Sequence, residues 1–399
     1  MGDAMKKMLL FIIMFFIAIT GVDALEVDLY SKNAILYNYD LDEVLYEKDA
    51  DEVISIASMT KIMSAIVLLE NTNDLDQKIV LTEKHFDGLN ELGVSVAGFY
   101  RGQTVTYRDL FYGILLPSGA DAVQALAIEV FGSNEILVEK MNEKADYLEL
   151  KDTHFANPYG LDHSEHHSTV REVATVLKYA LKNDVFKTIY TTRKYLTSDT
   201  NLTLYSTIVD PLKTIGKSAD YIKGSKTGFT YQAGRCLSSI AYDNEDDVNY
   251  LLVTAGTANI RYYPVLDAVN IYETAFKEYS NNIIFQNGDI VTKLKTKYAK
   301  EKEIDLVIKE DIKLFLEDSE FDKSKISYTY KLPDKITKIL KANEKIGSVT
   351  ISYDGKEIKT SDLYLKSDMH FSFLRFLLNI ILPIGIIVIV CLLLFKKKK

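Results

Sequence analysis

The sequence predicts an α+β protein: an antiparallel sheet flanked by helices, then a smaller all-β domain, then an apolar C-terminal helix. Three strand-like runs follow one another within residues 222–255, and helical patterns lie before and after them. After about residue 279, charged residues and threonine alternate with Ile, Val and Leu in short runs. Successive strands with helices on either side are typical of an antiparallel sheet that is covered by helices.

The first elements are expected to be a hairpin and a buried helix. Residues 33–39 and 43–48 alternate as two strands around a short turn. A helix is predicted from Ser55, a candidate cap, to about Glu70. Apolar residues surround most of its axis, which indicates a helix in the centre of a domain. Further helices are predicted at 107–130, 134–147 and 169–181, and strands at 222–230, 236–241 and 249–255.

The last third of the chain is expected to form a β-rich stem. Strands are predicted at 304–308 and 347–353. Asp354-Gly355 then marks a hairpin turn, because both residue types accept the positive φ that tight hairpin turns require. No clustered histidines, cysteines or carboxylates suggest a site in this region.

The N-terminal residues predict a secretory signal peptide. Lys6 and Lys7 precede an apolar run at 8–19, and small residues follow at 22–24. This order is typical of a cleaved signal, so residues 1–24 are interpreted as the signal peptide and Leu25 as the approximate start of the mature chain. An uncleaved membrane anchor is the alternative.

The C-terminal residues predict a transmembrane helix at 374–395. Residues 376–395 are almost wholly apolar, about the length that crosses a bilayer as a helix. Four lysines at 396–399 predict a cytoplasmic tail. The protein is therefore expected in the cell membrane as a single-pass protein whose large middle part lies outside the cell. The alternative is an amphipathic helix on the membrane surface, although no polar face is visible.

Charge and cysteine content limit the classes of partner. The chain carries 47 Lys and Arg against 56 Asp and Glu, a net charge of −9. The four terminal lysines offset an even more acidic middle part, which argues against nucleic acid as a partner. Only two cysteines occur, Cys236 and Cys391, and one lies in the predicted membrane helix. No disulfide framework is therefore expected, and stability must come from apolar cores.

Ser58-Met59-Thr60-Lys61 is the main candidate for a catalytic motif. A serine and a lysine three residues apart on a helix share one face. This spacing brings an amine within reach of a hydroxyl, as a serine nucleophile needs when no histidine serves as its base. The pattern is common by chance, but Ser118-Gly119 and Lys226-Thr227-Gly228 follow it in the order found in serine acyltransferases that penicillin inhibits.

Together these motifs resemble the D-alanyl-D-alanine carboxypeptidases, the low-molecular-mass penicillin-binding proteins, which are related to class A β-lactamases. The resemblance covers nearly the whole chain. Besides the three motifs, it rests on 107–113 with 116–122 around Ser118, on 155–161, and on His167-Ser168-Thr169. It implies a β-lactamase/transpeptidase-like catalytic domain at 25–279, a stem domain at 280–366 and an anchor at 374–395.

The resemblance also implies a reaction and a role for each motif residue. Ser58 would attack the terminal D-Ala-D-Ala bond of peptidoglycan pentapeptides, with Lys61 as base and Ser118 relaying a proton to the leaving D-alanine. Lys226 and Thr227 would hold the substrate carboxylate. Gly228 completes the third motif, and Phe229 would supply one oxyanion-hole N–H together with Ser58. β-Lactams would acylate Ser58, and no cofactor or metal is implied.

Three positions depart from the family pattern. Ala120 stands where the family usually has Asn, so an amide that would contact lysine and substrate is missing. Asp121 is adjacent and is expected to point elsewhere. Tyr159 replaces a frequent His, and Arg235, at a position that is often aromatic, is interpreted as a strand-edge residue. These changes affect expectations about rate and substrate detail more than the reaction class.

Several other functions are compatible with the sequence. A class A β-lactamase should carry a deacylating glutamate in an E-x-x-L-N-like loop, and none occurs between the second and third motifs. A D,D-endopeptidase is chemically close, and a non-catalytic wall-binding scaffold of the same fold is favoured only by Ala120. The run His163 to His167 resembles a metal-binding pattern, but it has no second cluster to complete a site.

Overall fold

The protein is described by a computed structural model that covers residues 25–199 and 201–396. The predicted signal peptide, 1–24, and the lysines at 397–399 lie outside the described residues. The chain divides into two compact units, one ending at Lys277 and the other beginning at Glu278. Each unit has its own apolar core.

A five-stranded antiparallel sheet forms the centre of the first unit, in the order β2-β1-β9-β8-β7. Its strands are β1 (Asn33–Asn38), β2 (Glu43–Lys48), β7 (Ile222–Thr230), β8 (Gly234–Asp243) and β9 (Val248–Thr257). Two small pairs complete the strands of this unit: β3 (Lys78–Val80) with β4 (Thr104–Thr106), and β5 (Lys194–Leu196) with β6 (Thr203–Tyr205). The predicted hairpin and the three predicted strands are confirmed. Strand β7 lies at one end of the central sheet, so one of its edges has no neighbouring strand among the described residues.

Helices pack around this sheet. They are α1 (Lys61–Glu70), α2 (Leu89–Leu92), α3 (Tyr107–Leu115), α4 (Ala120–Phe131), α5 (Asn134–Tyr147), α6 (Val170–Ala180), α7 (Asp184–Tyr190), α8 (Val209–Thr214) and α9 (Tyr263–Glu278). The helix predicted at 107–130 is divided into α3 and α4 by residues 116–119, which carry Ser118. Thr106 caps α3, since its side chain accepts from the Asp109 N–H while the Asp109 carboxylate accepts from the Thr106 N–H.

Helix α1 is buried on nearly all sides, as its sequence predicted. Every residue from Lys61 to Leu69 is buried. The helix begins later than expected, because Ala57–Thr60 forms a 3-10 turn before it. The capping role proposed for Ser55 is wrong: Ile56 occupies the cap position, and the Ser55 hydroxyl is buried with no hydrogen-bond partner among the described residues.

The second unit is mostly β-structure, as predicted. Its main sheet has the order β11-β12-β16-β15-β14, and β10 pairs separately with β13. The strands are β10 (Tyr279–Phe285), β11 (Ile290–Lys295), β12 (Glu303–Val307), β13 (Ile312–Glu317), β14 (Ile326–Lys331), β15 (Lys345–Tyr353) and β16 (Lys356–Leu365). Asp354 and Gly355 connect β15 to β16 with φ of 48° and 78°, which confirms the predicted hairpin turn.

One helix among the described residues, Phe373–Leu394, is long and apolar enough to cross a membrane. It comprises α10 (Phe373–Phe376), a wider turn at Leu377–Ile381, and α11 (Leu382–Lys396). The Asn379 side chain donates to the Arg375 carbonyl oxygen, so this amide is satisfied within the helix. No residue in its most apolar 18-residue stretch is buried inside the protein, which fits a membrane span better than a core helix.

Candidate active site

The 3-10 turn that precedes α1 presents Ser58 at the surface of the first unit. Ser58 is half-buried, whereas Lys61, the first residue of α1, is 1% exposed. Lys61 Nζ lies 3.0 Å from Ser58 Oγ and donates a second hydrogen bond, of 2.8 Å, to the Tyr159 carbonyl oxygen. The predicted approach of amine and hydroxyl is therefore present, and a backbone carbonyl fixes the direction of the amine.

The segment that supplies this carbonyl lies directly against the nucleophile turn. Gly160 has φ +85°, and a Cβ at this position would lie 1.9 Å from the Ala57 carbonyl oxygen. Asn157 stabilises the segment, because its Oδ1 accepts hydrogen bonds from the N–H groups of Tyr159 and Gly160. Only glycine therefore allows the two backbones to approach this closely.

Ser118 lies opposite the nucleophile turn, on the connection between α3 and α4. It is 4% exposed and has φ +70°, an uncommon conformation for a residue with a side chain. Its Oγ accepts a 2.8 Å hydrogen bond from Lys226 Nζ. This backbone conformation directs the hydroxyl towards the third motif. Residues held in such uncommon conformations are often functional.

Ala120 and Asp121 begin helix α4. Ala120 is fully buried and carries no polar side chain in place of the family's usual amide. The Asp121 carboxylate turns away, as expected, and accepts hydrogen bonds from the N–H groups of Ala97, Gly98 and Phe99. Asp121 thus holds the 97–99 segment against the start of α4 rather than replacing the missing amide.

Strand β7 places the third motif beside Ser58 and Ser118. Lys226 is completely buried and also donates to the Thr227 carbonyl oxygen at 2.7 Å. The Thr227 hydroxyl donates to Thr207 Oγ1 at 2.6 Å. At Gly228 a Cβ would come within 3.0 Å of the Ser58 backbone nitrogen. Glycine in this motif therefore lets β7 lie directly beside the nucleophile turn.

Burial changes the acid–base properties of both lysines. Removal from water lowers the pKa of Lys61 to about 7, although the nearby charge of Asp121 acts in the opposite direction. Burial, together with repulsion by Lys61, lowers the pKa of Lys226 well below its usual value. The repulsion between the two ammonium groups means that the pair does not hold two protons easily at neutral pH.

The motifs line one cleft of about 480 Å³. Ser58, Ser118, Thr227, Gly228 and Phe229 all contribute to its walls. The predicted catalytic and substrate-binding residues are thus brought together, and Lys61 and Lys226 lie immediately behind this surface.

Several groups in this cleft were not predicted from the sequence or were misassigned. Arg261 lines it, and so does Thr207, the partner of Thr227. Arg235 is not a strand-edge residue, since β8 lies between β7 and β9. Its guanidinium stacks 4.3 Å from the Phe229 ring and donates to Asn259 Oδ1. No local motif marks Arg261 or Thr207, and the lack of one explains why they were missed.

In the histidine-rich segment, one histidine ring is buried against the nucleophile turn. His166 is 2% exposed, accepts from the Ala156 N–H through Nδ1, and lies 2.8 Å from Thr60 Oγ1 through Nε2. Burial lowers the pKa of His166 to about 4, so the ring is neutral and supports the nucleophile turn. No group of three or more metal-ligating side chains occurs within the part of the chain that the structure describes.

Comparison with known proteins identifies the family. The family model described as D-alanyl-D-alanine carboxypeptidase matches residues 20–257, more than half of the chain. The chain belongs to this family. A second model, the C-terminal domain of penicillin-binding protein 5, matches residues 279–370.

Individual relatives agree with this assignment. The chain is 29% identical to the D-alanyl-D-alanine carboxypeptidase DacF of Bacillus subtilis over 340 residues, 85% of this chain and 86% of the relative. It is 29% identical to a D-alanyl-D-alanine endopeptidase of Pseudomonas aeruginosa over 237 residues, 58% of this chain and 73% of that protein. The structure of penicillin-binding protein 5 from Haemophilus influenzae has the same fold, with a TM-score of 0.61, 22% identity, and coverage of 88% of this chain and 100% of that one.

Proposed function

We propose that this protein is a serine-type D-Ala-D-Ala carboxypeptidase that removes the terminal D-alanine from peptidoglycan pentapeptides through an acyl-enzyme on Ser58. The family assignment supports the reaction class. The single observation that carries the assignment of the nucleophile is the 3.0 Å distance between Lys61 Nζ and Ser58 Oγ, with the amine buried. A neutral amine at this distance can accept the hydroxyl proton as the oxygen attacks.

The two lysines would have different roles. Neutral Lys61 is the base that deprotonates Ser58. Lys226 becomes the cation once a substrate arrives, because the terminal carboxylate favours its protonated form. Thr227 and the exposed Arg261 line the side of the cleft that would bind the carboxylate, and Lys226 lies directly behind it, bonded to Ser118 Oγ. Ser118 Oγ, bonded to Lys226 Nζ, is the group that passes a proton to the leaving D-alanine nitrogen.

The oxyanion would be stabilised by backbone N–H groups of Ser58 and Phe229. The close approach of β7 to the Ser58 nitrogen at Gly228 supports this pair of donors. One such donor is typically worth about 3 kcal/mol in acyl transfer. Departure of D-alanine leaves Ser58 acylated, and water then hydrolyses the ester. A β-lactam would form the same ester but would leave slowly.

A D,D-endopeptidase is the second candidate, because a relative bears that name over 58% of this chain. It would use the same acyl-enzyme and differ only in the leaving group, an amine on a cross-linked peptide instead of free D-alanine. D-Alanine release from a pentapeptide and cleavage of a cross-linked dimer, measured side by side, would distinguish the two.

We further propose a cell-membrane location. Helix Phe373–Leu394 would be the single span, with the lysine tail in the cytoplasm and both folded units outside the cell. A cleaved signal peptide at 1–24 would direct export. This arrangement would place the cleft next to the peptidoglycan, where the enzyme would act in wall synthesis and remodelling.

The test is intact-mass spectrometry of the detergent-solubilised full-length protein with and without excess benzylpenicillin, with Ser58→Ala as the control. We expect a stable adduct of one penicillin that is absent from Ser58→Ala, and D-alanine release from a D-Ala-D-Ala peptide only by the unsubstituted protein. A folded protein that forms no adduct would favour the scaffold alternative. An adduct that turns over rapidly would favour a β-lactamase.

A further inference from the structure

Helix α4 is linked to the proposed base through a tyrosine. The Tyr159 hydroxyl donates a 2.7 Å hydrogen bond to Gln124 Oε1, and Gln124 lies on α4. The carbonyl oxygen of the same tyrosine accepts a 2.8 Å hydrogen bond from Lys61 Nζ. Tyr159 therefore connects the amine to the helix, with its backbone bonded to the amine and its side chain bonded to the helix.

The direction of the Lys61 amine depends on this carbonyl. Among the described residues, Lys61 Nζ has hydrogen-bond contacts only with Ser58 Oγ and the Tyr159 carbonyl oxygen. A neutral amine must point its lone pair at the hydroxyl whose proton it takes. An N–H group that is held by the carbonyl leaves the lone pair directed towards the serine. A shift of the carbonyl would turn the lone pair away.

The backbone of the segment leaves freedom at this carbonyl. The peptide group that carries it joins Tyr159 to Gly160, and glycine has access to more backbone conformations than other residues. Asn157 Oδ1 accepts from the N–H groups of this turn, and Ser64 Oγ donates to the Pro158 carbonyl oxygen. Neither contact reaches the Tyr159 carbonyl, so the position of the tyrosine side chain matters for it.

The acceptor of the phenol is itself held in place. Gln124 is 4% exposed, and its Nε2 donates to the Asp87 carbonyl oxygen at 3.0 Å. Its Oε1 also accepts a 3.1 Å hydrogen bond from Asn134 Nδ2. Burial raises the pKa of the Tyr159 phenol, so the hydroxyl stays protonated and remains a donor. The phenol is thus bonded to a side chain that three partners keep from turning.

The first turn of α4 offers the base no polar side chain of its own. Ala120 is fully buried and has no polar side-chain atom for Lys61. Ala120 and Gln124 are four residues apart on α4 and therefore share one face of the helix. The polar contact from this face comes from Gln124, and it reaches the base through Tyr159.

We propose that Tyr159 and Gln124 are positioning residues for acyl transfer, because the hydrogen bond between their side chains holds the Tyr159 carbonyl where it directs the Lys61 amine at Ser58. Neither Tyr159 nor Gln124 lines the cleft, so both act through the amine and not through the substrate. This inference rests on the proposed function, in which Lys61 is the base.

The test is stopped-flow acylation of the detergent-solubilised full-length protein by a fluorescent penicillin, which separates the dissociation constant of the first complex from the acylation rate constant. Tyr159→Phe keeps the ring and removes the hydroxyl. We expect the rate constant to fall by about tenfold and the dissociation constant to stay the same, because a misplaced catalytic group slows chemistry more than binding. The fall should persist at pH 9, where the Lys61 amine is neutral, since its position and not its protonation has changed.

Tyr272→Phe is the matched control. Tyr272 is fully buried, and its hydroxyl donates to the Ser239 carbonyl oxygen at 3.1 Å, so this variant also loses a buried phenol hydrogen bond. It should lose stability to urea as Tyr159→Phe does and should keep the acylation rate constant of the unsubstituted protein. An unchanged rate constant in Tyr159→Phe, or an equal fall in both tyrosine variants, would overturn the inference.

Gln124→Met tests the other partner, because it removes the acceptor and keeps an unbranched side chain. The double variant with Tyr159→Phe should be acylated as slowly as Tyr159→Phe alone, since both changes remove the same hydrogen bond. Rate reductions that multiply would show that Gln124 does not act through Tyr159. Acylation of the unsubstituted protein by benzylpenicillin tests the proposed function separately, and its absence would count against that function.

Discussion

Lys61 lies 3.0 Å from Ser58 Oγ and is 1% exposed, and a lysine needs both properties to act as a base near neutral pH. An exposed lysine is almost wholly protonated there and has no lone pair to offer. Burial in the centre of the first unit lowers the pKa to about 7. The hydrogen bond to the Tyr159 carbonyl then directs the amine towards the serine.

The pH dependence of acylation follows from the Lys61 amine. Because the neutral form is the base, the acylation rate of Ser58 should rise with pH and reach half its maximum at about pH 7. Stopped-flow acylation by a fluorescent penicillin between pH 5.5 and 9 would measure this profile. A rate that is constant over this range would contradict the assignment of Lys61 as the base.

At the scale of elements, the site depends on three backbone segments that lie unusually close together. The nucleophile turn contacts the Gly160 segment on one side and β7, through Gly228, on the other. At Gly160 the contact is backbone to backbone and leaves no room for a Cβ, whereas a Cβ at Gly228 would meet Ala57 Cβ and the Ser58 nitrogen at 3.0 Å and push the segments slightly apart. The 3-10 turn, the loop and the strand act as one unit, although they are distant in sequence.

Gly160→Ala should therefore destabilise the protein and reduce acylation. A Cβ would collide with the Ala57 carbonyl oxygen, and an alanine at φ +85° is strained. We expect a loss of about 3 kcal/mol in the free energy of unfolding, measured by urea denaturation, together with slower penicillin acylation.

Gly132→Ala is the control for backbone strain alone. Gly132 ends α4 with φ +90°, and a Cβ there would meet nothing within 4 Å. It should cost about 1 kcal/mol and leave acylation unchanged. If the two alanine variants had equal stability and equal acylation rates, the close approach at Gly160 would not matter for the site.

At the scale of the whole molecule, the candidate active site and the apolar helix lie in different parts of the chain. The cleft is built entirely from the first unit, whereas the apolar helix Phe373–Leu394 belongs to the second. The helix start is fixed within the second unit, since Arg375 donates to the carbonyl oxygens of Ala299 and Glu301. The apolar helix is thus attached to a folded unit.

A chain truncated after Ser372 should lose membrane binding and keep its chemistry. Without the apolar helix, the protein should remain in the supernatant when lipid vesicles are sedimented, while the full-length protein should sediment with them. Penicillin acylation should be equal for the two, because each unit has its own core. Co-sedimentation of the truncated chain would show that another surface binds the membrane.

Sequence patterns were enough to predict the fold class and the order of the main elements, which the structure confirms, because apolar periodicity is local. They also selected Ser58, Lys61, Ser118 and Lys226, because the chemistry of these side chains can be read from residue type. The α1 start was misplaced by a few residues, since a 3-10 turn and the first turn of an α-helix have similar sequence patterns.

The remaining contacts of the site come from segments that are distant along the chain. Lys61 meets the Tyr159 carbonyl across 98 positions, and Lys226 meets Ser118 across 108. A backbone carbonyl has no residue-type signature, and neither does the cleft that these segments enclose. Such features arise when distant segments pack together, so sequence patterns that extend over one element do not contain them.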